Sequence, residues 1–128
     1  MRKVIVAPEF PDYVREWHFS PAIDTAGFVF FSGITGVHPD QSLASDPATQ
    51  FRDTFRFVAM HLKAAALDFC HIVDLTTYHV DLRKHFNVFV AIKDEYIKEP
   101  YPTWTAVGVT ELVTPGTLLE IRVVAKHP

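Results

Sequence analysis

Glu120 is the residue with the clearest chemical potential in this chain. It lies between Leu119 and Ile121, in a run of strand-forming residues from Thr117 to Ala125. Strand alternation puts Leu118, Glu120, Arg122 and Val124 on one side. A carboxylate beside an apolar wall has a proton affinity open to adjustment, which suits general acid–base work. The plainer reading is an ion pair between Glu120 and Arg122, on the sheet or across an interface. Trp104 shares a strand face with Ala106 and Gly108, opposite Thr103, Thr105 and Val107. Its indole offers a wide apolar surface and one donor but no positive charge. Such a ring can stack on an unsaturated ligand or plug a cavity. Gly33 ends the apolar run Phe28-Val29-Phe30-Phe31-Ser32 and lets backbone approach a ligand closely, or simply ends a strand.

Other chemistries find little support. The histidines at 18, 38, 61, 71, 79, 85 and 127 form no His-Glu-x-x-His or other compact zinc pattern. His79 is expected to be a satisfied structural histidine. Ser32 lacks the Gly-x-Ser-x-Gly setting of a nucleophile elbow, and no glycine-rich phosphate loop is present. Cys70, the single cysteine, cannot form an internal disulfide. It ends an apolar helical pattern and is expected to be buried filler.

The remaining bounds come from composition. A length of 128 residues suits one domain with one core, spanning 1–128. The 11 Phe, 4 Tyr and 2 Trp exceed what a small core readily hides, which suits a subunit interface or an apolar pocket. A net charge of −3 and no clustered Lys/Arg face argue against nucleic acid as a partner. The start lacks a signal peptide's apolar stretch, and no run reaches membrane-spanning length, so a cytoplasmic location is expected and no membrane partner.

The elements that must position these residues follow from pattern. Lys3 to Ala7 reads as a short strand stopped by Pro8, and Asp12 to Ser20 as irregular. Ile23 starts a strand turning at Ala26-Gly27 into the Phe28–Ser32 strand. Val37 to Pro47 reads as a loop. A helix is expected from Pro47 to about Phe69, capped by Asp46, with Phe51, Phe55, Val58, Leu62, Ala65 and Phe69 as its apolar stripe. Gln50, Arg52, Asp53, Arg56 and Lys63 are placed toward solvent or an interface. Ile72 to Val80 should be a strand, and Asp81 should cap a second helix to about Ile97, buried through Val88 or Phe89, Ile92 and Tyr96. Pro100 and Pro102 end it. Thr103–Glu111 and Thr117–Ala125 read as strands. The order predicts an α+β layer, two helices on one face of a mixed sheet.

Pro102-Thr103-Trp104-Thr105 followed by Glu120-Ile121-Arg122-Val123 resembles the carboxyl-terminal signature of the Rid (YjgF, reactive-intermediate deaminase) family. The resemblance runs from Phe19-Ser20-Pro21-Ala22 to Ala125. It includes Ser32-Gly33 after an apolar strand, the helix with Gln50, and the strand ending at Asp81-Leu82. Trp104 stands in place of the family's carboxylate-binding arginine, and Phe19 in place of a tyrosine. Phe57 and Phe89 stand where asparagines are common. The resemblance implies a chorismate-mutase-like homotrimer with pockets at subunit boundaries. It also implies hydrolysis of imines or enamines to oxo compounds and ammonia, with no metal or organic cofactor. Glu120 becomes the acid–base residue. Trp104, Gly33 and Phe19 become substrate-binding residues, and Arg122 the side chain that would replace the missing charge. Loss of the arginine points away from small 2-imino acids toward a larger unsaturated imine or enamine. The alternative is a noncatalytic small-molecule binding protein on the same trimer. A nuclease role, attributed to some relatives, fits the acidic balance least.

Overall fold

The computed structural model describes residues 1–128. Its strands are β1 (Lys3–Ile5), β2 (Ala22–Thr25), β3 (Phe28–Phe31), β4 (Ile34–Thr35), β5 (Ile72–Val80), β6 (Thr103–Val109) and β7 (Leu119–Lys126), and its helices α1 (Tyr13–Trp17), α2 (Pro47–Ala64) and α3 (Leu82–Tyr96). They form one mixed sheet in the order β1-β2-β3-β7-β5-β6, with β4 also on β7. Only β5–β6 is parallel, because α3 crosses between those two strands. Helices α2 and α3 cover one face, α2 over β4 and β7 and α3 beside β6. The expected α+β layer is therefore the observed one.

Alternation along β7 separates the two faces. Leu119, Ile121, Val123 and Ala125 are buried toward the helices, whereas Glu120, Arg122 and Val124 lie on the opposite face. Phe51, Phe55, Val58 and Leu62 of α2 close the core from above. The two helices meet through rings: Phe89 lies 5.9 Å from both Phe51 and Phe55, and Phe55 stacks on Tyr96 at 4.9 Å. Of the two alternatives for α3, Phe89 is buried and Val88 exposed.

Several expectations need correction. Residues 13–17 are helical rather than irregular, because the Asp12 side chain accepts from Arg15 N at 3.1 Å and caps one short turn. Helix α2 stops at Ala64, since Ala66 takes a left-handed backbone (φ 59°). Asp68 then caps a separate 3-10 turn, Phe69–His71. Cys70 falls on that turn and is exposed, not buried filler. Asp81 occupies the cap position of α3, but its side chain makes no cap bond. Gln50 and Asp53 are buried rather than solvent-facing, because the loops after β4 and before β7 fold over that flank of α2. Gln50 donates to Ala44 O and Gly116 O and accepts from Leu118 N at 2.7 Å, so one amide ties both loops to the helix.

Candidate active site

The site begins with an irregularity in the sheet. β3 and β4 run along the same edge of β7, with Phe30 opposite Val124 and Ile34 opposite Ile121. Four steps on one strand therefore match three on the other, and the extra residue makes a bulge at Ser32-Gly33. Ser32 N donates to Pro21 O at 2.9 Å, and Ser32 Oγ donates to Ser20 O at 2.7 Å. These bonds hold the Phe19-Ser20-Pro21 segment against the bulge. Phe19 stacks on Tyr13 of α1 at 5.0 Å.

A cavity of about 280 Å³ opens at this bulge, lined by Phe19, Gly33 and Glu120 among others. Glu120 pairs with Thr35 of β4 and Tyr78 of β5 and is half-buried. Its carboxyl lies directly on Gly33: a Cβ there would fall 2.6 Å from Glu120 Cδ, so any side chain would push the carboxyl away. Burial raises the proton affinity of Glu120 above that of an ordinary glutamate. It takes part in none of the chain's ion pairs, and the simple pairing with Arg122 is not made. Arg122 is exposed on the same face, opposite Thr76, and does not line the cavity.

Two imidazoles that the sequence did not single out share the lining with Glu120. His38 Nε2 lies 3.0 Å from Asp53 Oδ2, and Arg56 Nη1 holds the other Asp53 oxygen at 2.8 Å. His61 is buried and stacks on Phe10 at 4.4 Å. Its burial lowers its pKa to about 4, so it is neutral at physiological pH. No group of three His, Cys, Asp or Glu side chains is arranged to hold a metal ion.

Trp104 lies elsewhere. Its register neighbour is Leu75, on the helix side of the sheet. The indole stacks parallel to Phe86 of α3 at 6.0 Å, with Lys93 Nζ 4.7 Å from its ring. Its N–H donates to Thr77 Oγ1 at 3.0 Å, and Thr77 Oγ1 lies 2.7 Å from His79 Nε2. An indole can only donate, so the Thr77 hydroxyl accepts from it and keeps its own proton for His79. His79 is thus the satisfied buried histidine the sequence predicts. Within one chain the structure brings Glu120, Gly33 and Phe19 together, and leaves Trp104 and Arg122 outside their cavity.

The endoribonuclease L-PSP family matches residues 14–127. The chain belongs to that family, the Rid/YjgF family. Among its relatives, the chain is similar to the RutC family protein YjgH of Escherichia coli, at 37% identity over 114 residues, 88% of this chain and 86% of that protein. The solved structure of protein YjgH superposes with a TM-score of 0.89 at 34% identity, covering 99% of this chain and 97% of that one. The human 2-iminobutanoate/2-iminopropanoate deaminase is 27% identical over 127 residues, 98% of this chain and 90% of that protein. Rid membership supports deaminase or related chemistry. No helix is long and apolar enough to cross a membrane.

Proposed function

We propose that this Rid protein hydrolyses the C=N bond of an imine, or of the imine tautomer of an enamine, in the Glu120 cavity. The observation that carries the reading is a half-buried carboxyl of raised proton affinity, lying on Gly33 in a cavity with aromatic walls. A carboxylate so placed takes a proton from water as the oxygen adds to the imine carbon. The resulting carboxylic acid returns the proton to nitrogen. The same carboxylate then carries the hydroxyl proton of the adduct to nitrogen as the C–N bond breaks, leaving an oxo compound and ammonia. The raised proton affinity suits both halves of this cycle, since the group must accept a proton and then release it. No cofactor enters the balance.

Two features favour a substrate larger and less acidic than a 2-imino acid. The residue at the family's arginine position, Trp104, is occupied with Phe86 and Thr77 on the helix side. Arg122 stands outside the cavity lining. A bidentate clamp on a small carboxylate is therefore missing from this chain's own side of the site. The working unit is proposed to be a homotrimer.

The test is ammonia release from imines made in place by amino-acid oxidase or by a flavin-dependent amine oxidase. The reading expects acceleration above the buffer rate for at least one larger unsaturated imine, and little for small 2-imino acids. Ligand binding with no acceleration across the panel would replace the reading with noncatalytic small-molecule binding.

A further inference from the structure

We propose that the Glu120 cavity selects an uncharged C=N substrate, with His38 accepting a hydrogen bond from the substrate's N–H. The inference rests on the hydrolytic reading for the word substrate, but its geometry stands independently.

Charge on the cavity wall already discriminates between ligands. The lining includes the carboxylates of Glu16 and Glu120 and no lysine or arginine. His61 lines it as a neutral ring and adds no compensating charge at physiological pH. A ligand carboxylate would meet like charge on this chain's side of the cavity, with no cation on that side to pair.

Hydrogen-bond direction at His38 adds to this. Asp53 is buried, with a side chain 6% exposed, and its two oxygens are taken by His38 and Arg56. An ionised carboxylate only accepts, so His38 Nε2 carries the proton between them. In the neutral ring Nδ1 is then left with a lone pair. Phe57 packs edge-on to the imidazole at 5.0 Å and fixes its plane. His38 lines the cavity, and a ring lone pair there can accept from an imine, enamine or carboxamide N–H. A carboxylate has no proton to offer it. The aromatic lining of Phe10, Tyr13 and Phe19 suits a flat, apolar body attached to that nitrogen. This assigns specificity to residues outside the Pro102–Thr105 signature.

The experiment compares benzamide with benzoate, equal in shape and different in charge and proton supply. Calorimetric titration at pH 8 should give benzamide an advantage of about tenfold or more in affinity. His38→Phe should lower that advantage, leaving only the part due to charge repulsion. Nitrogen NMR of histidine-labelled wild-type protein covers the case in which this variant folds poorly. The His38 ring should read as the Nε2–H tautomer, with Nδ1 shifting on benzamide addition. Equal or tighter benzoate binding, an Nδ1–H tautomer, or a folded His38→Phe protein with its preference intact would each overturn the proposal. In turnover, equal kcat/KM for carboxylated and uncharged imines would also overturn it, while leaving hydrolysis standing. A benzamide preference that depends on His38 supports it even if no imine is hydrolysed, an outcome that removes only the hydrolytic reading.

Discussion

Glu120 is held in an environment that penalises its charge, and that penalty has a definite sign. Its folded-state pKa lies above its unfolded value, so ionisation destabilises the fold and falling pH relieves the cost. Gly33 sets how near the carboxyl comes to the bulge. Gly33→Ala should displace the Glu120 head, because the clash falls on a flexible side-chain end rather than on backbone. The expected result is at least about tenfold loss of kcat with an unfolding midpoint changed little. Unchanged kcat would mean that the carboxyl position seen here is not the working one. Trp104 belongs to a different account. Removing its ring leaves Phe86 and Thr77 without their partner, so Trp104→Ala should cost about 2–3 kcal/mol in denaturant unfolding. Benzamide affinity should be preserved, and a loss of affinity without a loss of stability would return Trp104 to the binding site.

At the scale of elements, strand β5 carries a pH-sensitive load through His79. Burial lowers its pKa to about 4 from the ordinary imidazole value of 6.5. Between those values the unfolded chain binds the proton first, so stability is full above about pH 6.5 and is lost as pH falls toward about 4. The loss is on the order of 3 kcal/mol for such a group. His79→Gln can keep a bond to Thr77 without titrating. Its melting temperature should therefore fall less than the wild type's between those pH values, and parallel curves would contradict the assignment. The face alternation of β7 and the position of α2 were legible because they depend on residues two to four apart. Pattern alone did not give the cavity, whose parts are joined by tertiary bonds; the family resemblance supplied Glu120, Gly33 and Phe19 but not His38 or His61. Phe19 is placed by the bonds from Ser32 to Ser20 and Pro21, and His38 is oriented by Asp53 across a loop. Gln50 reads as a polar surface residue until its partners at Gly116 and Leu118 are known. Alternation also gave the company Trp104 keeps on its strand, but not which layer that face meets.

At the scale of the molecule, the sheet face without helices is unfinished as a monomer surface. Register aligns Val4, Ile23, Phe30 and Val124 in one apolar row across β1, β2, β3 and β7. Val4 and Phe30 are 43% and 40% exposed. Continuous apolar rows of this kind are usually covered in the assembled protein. The trimer account expects light scattering to return three times the 14.5 kDa chain mass. Phe30→Glu should shift that mass toward one chain, and a wild-type monomer at working concentration would exclude a boundary between copies as part of the site. At the reaction itself, one carboxyl, on Gly33, moves the proton in hydrolysis. Its most direct test is Glu120→Gln, assayed for ammonia release on an imine that the wild type turns over. The prediction is a fall in kcat of about a hundredfold or more, with assembly unchanged and benzamide affinity retained. A Glu120→Gln protein that releases ammonia at the wild-type rate would contradict the account.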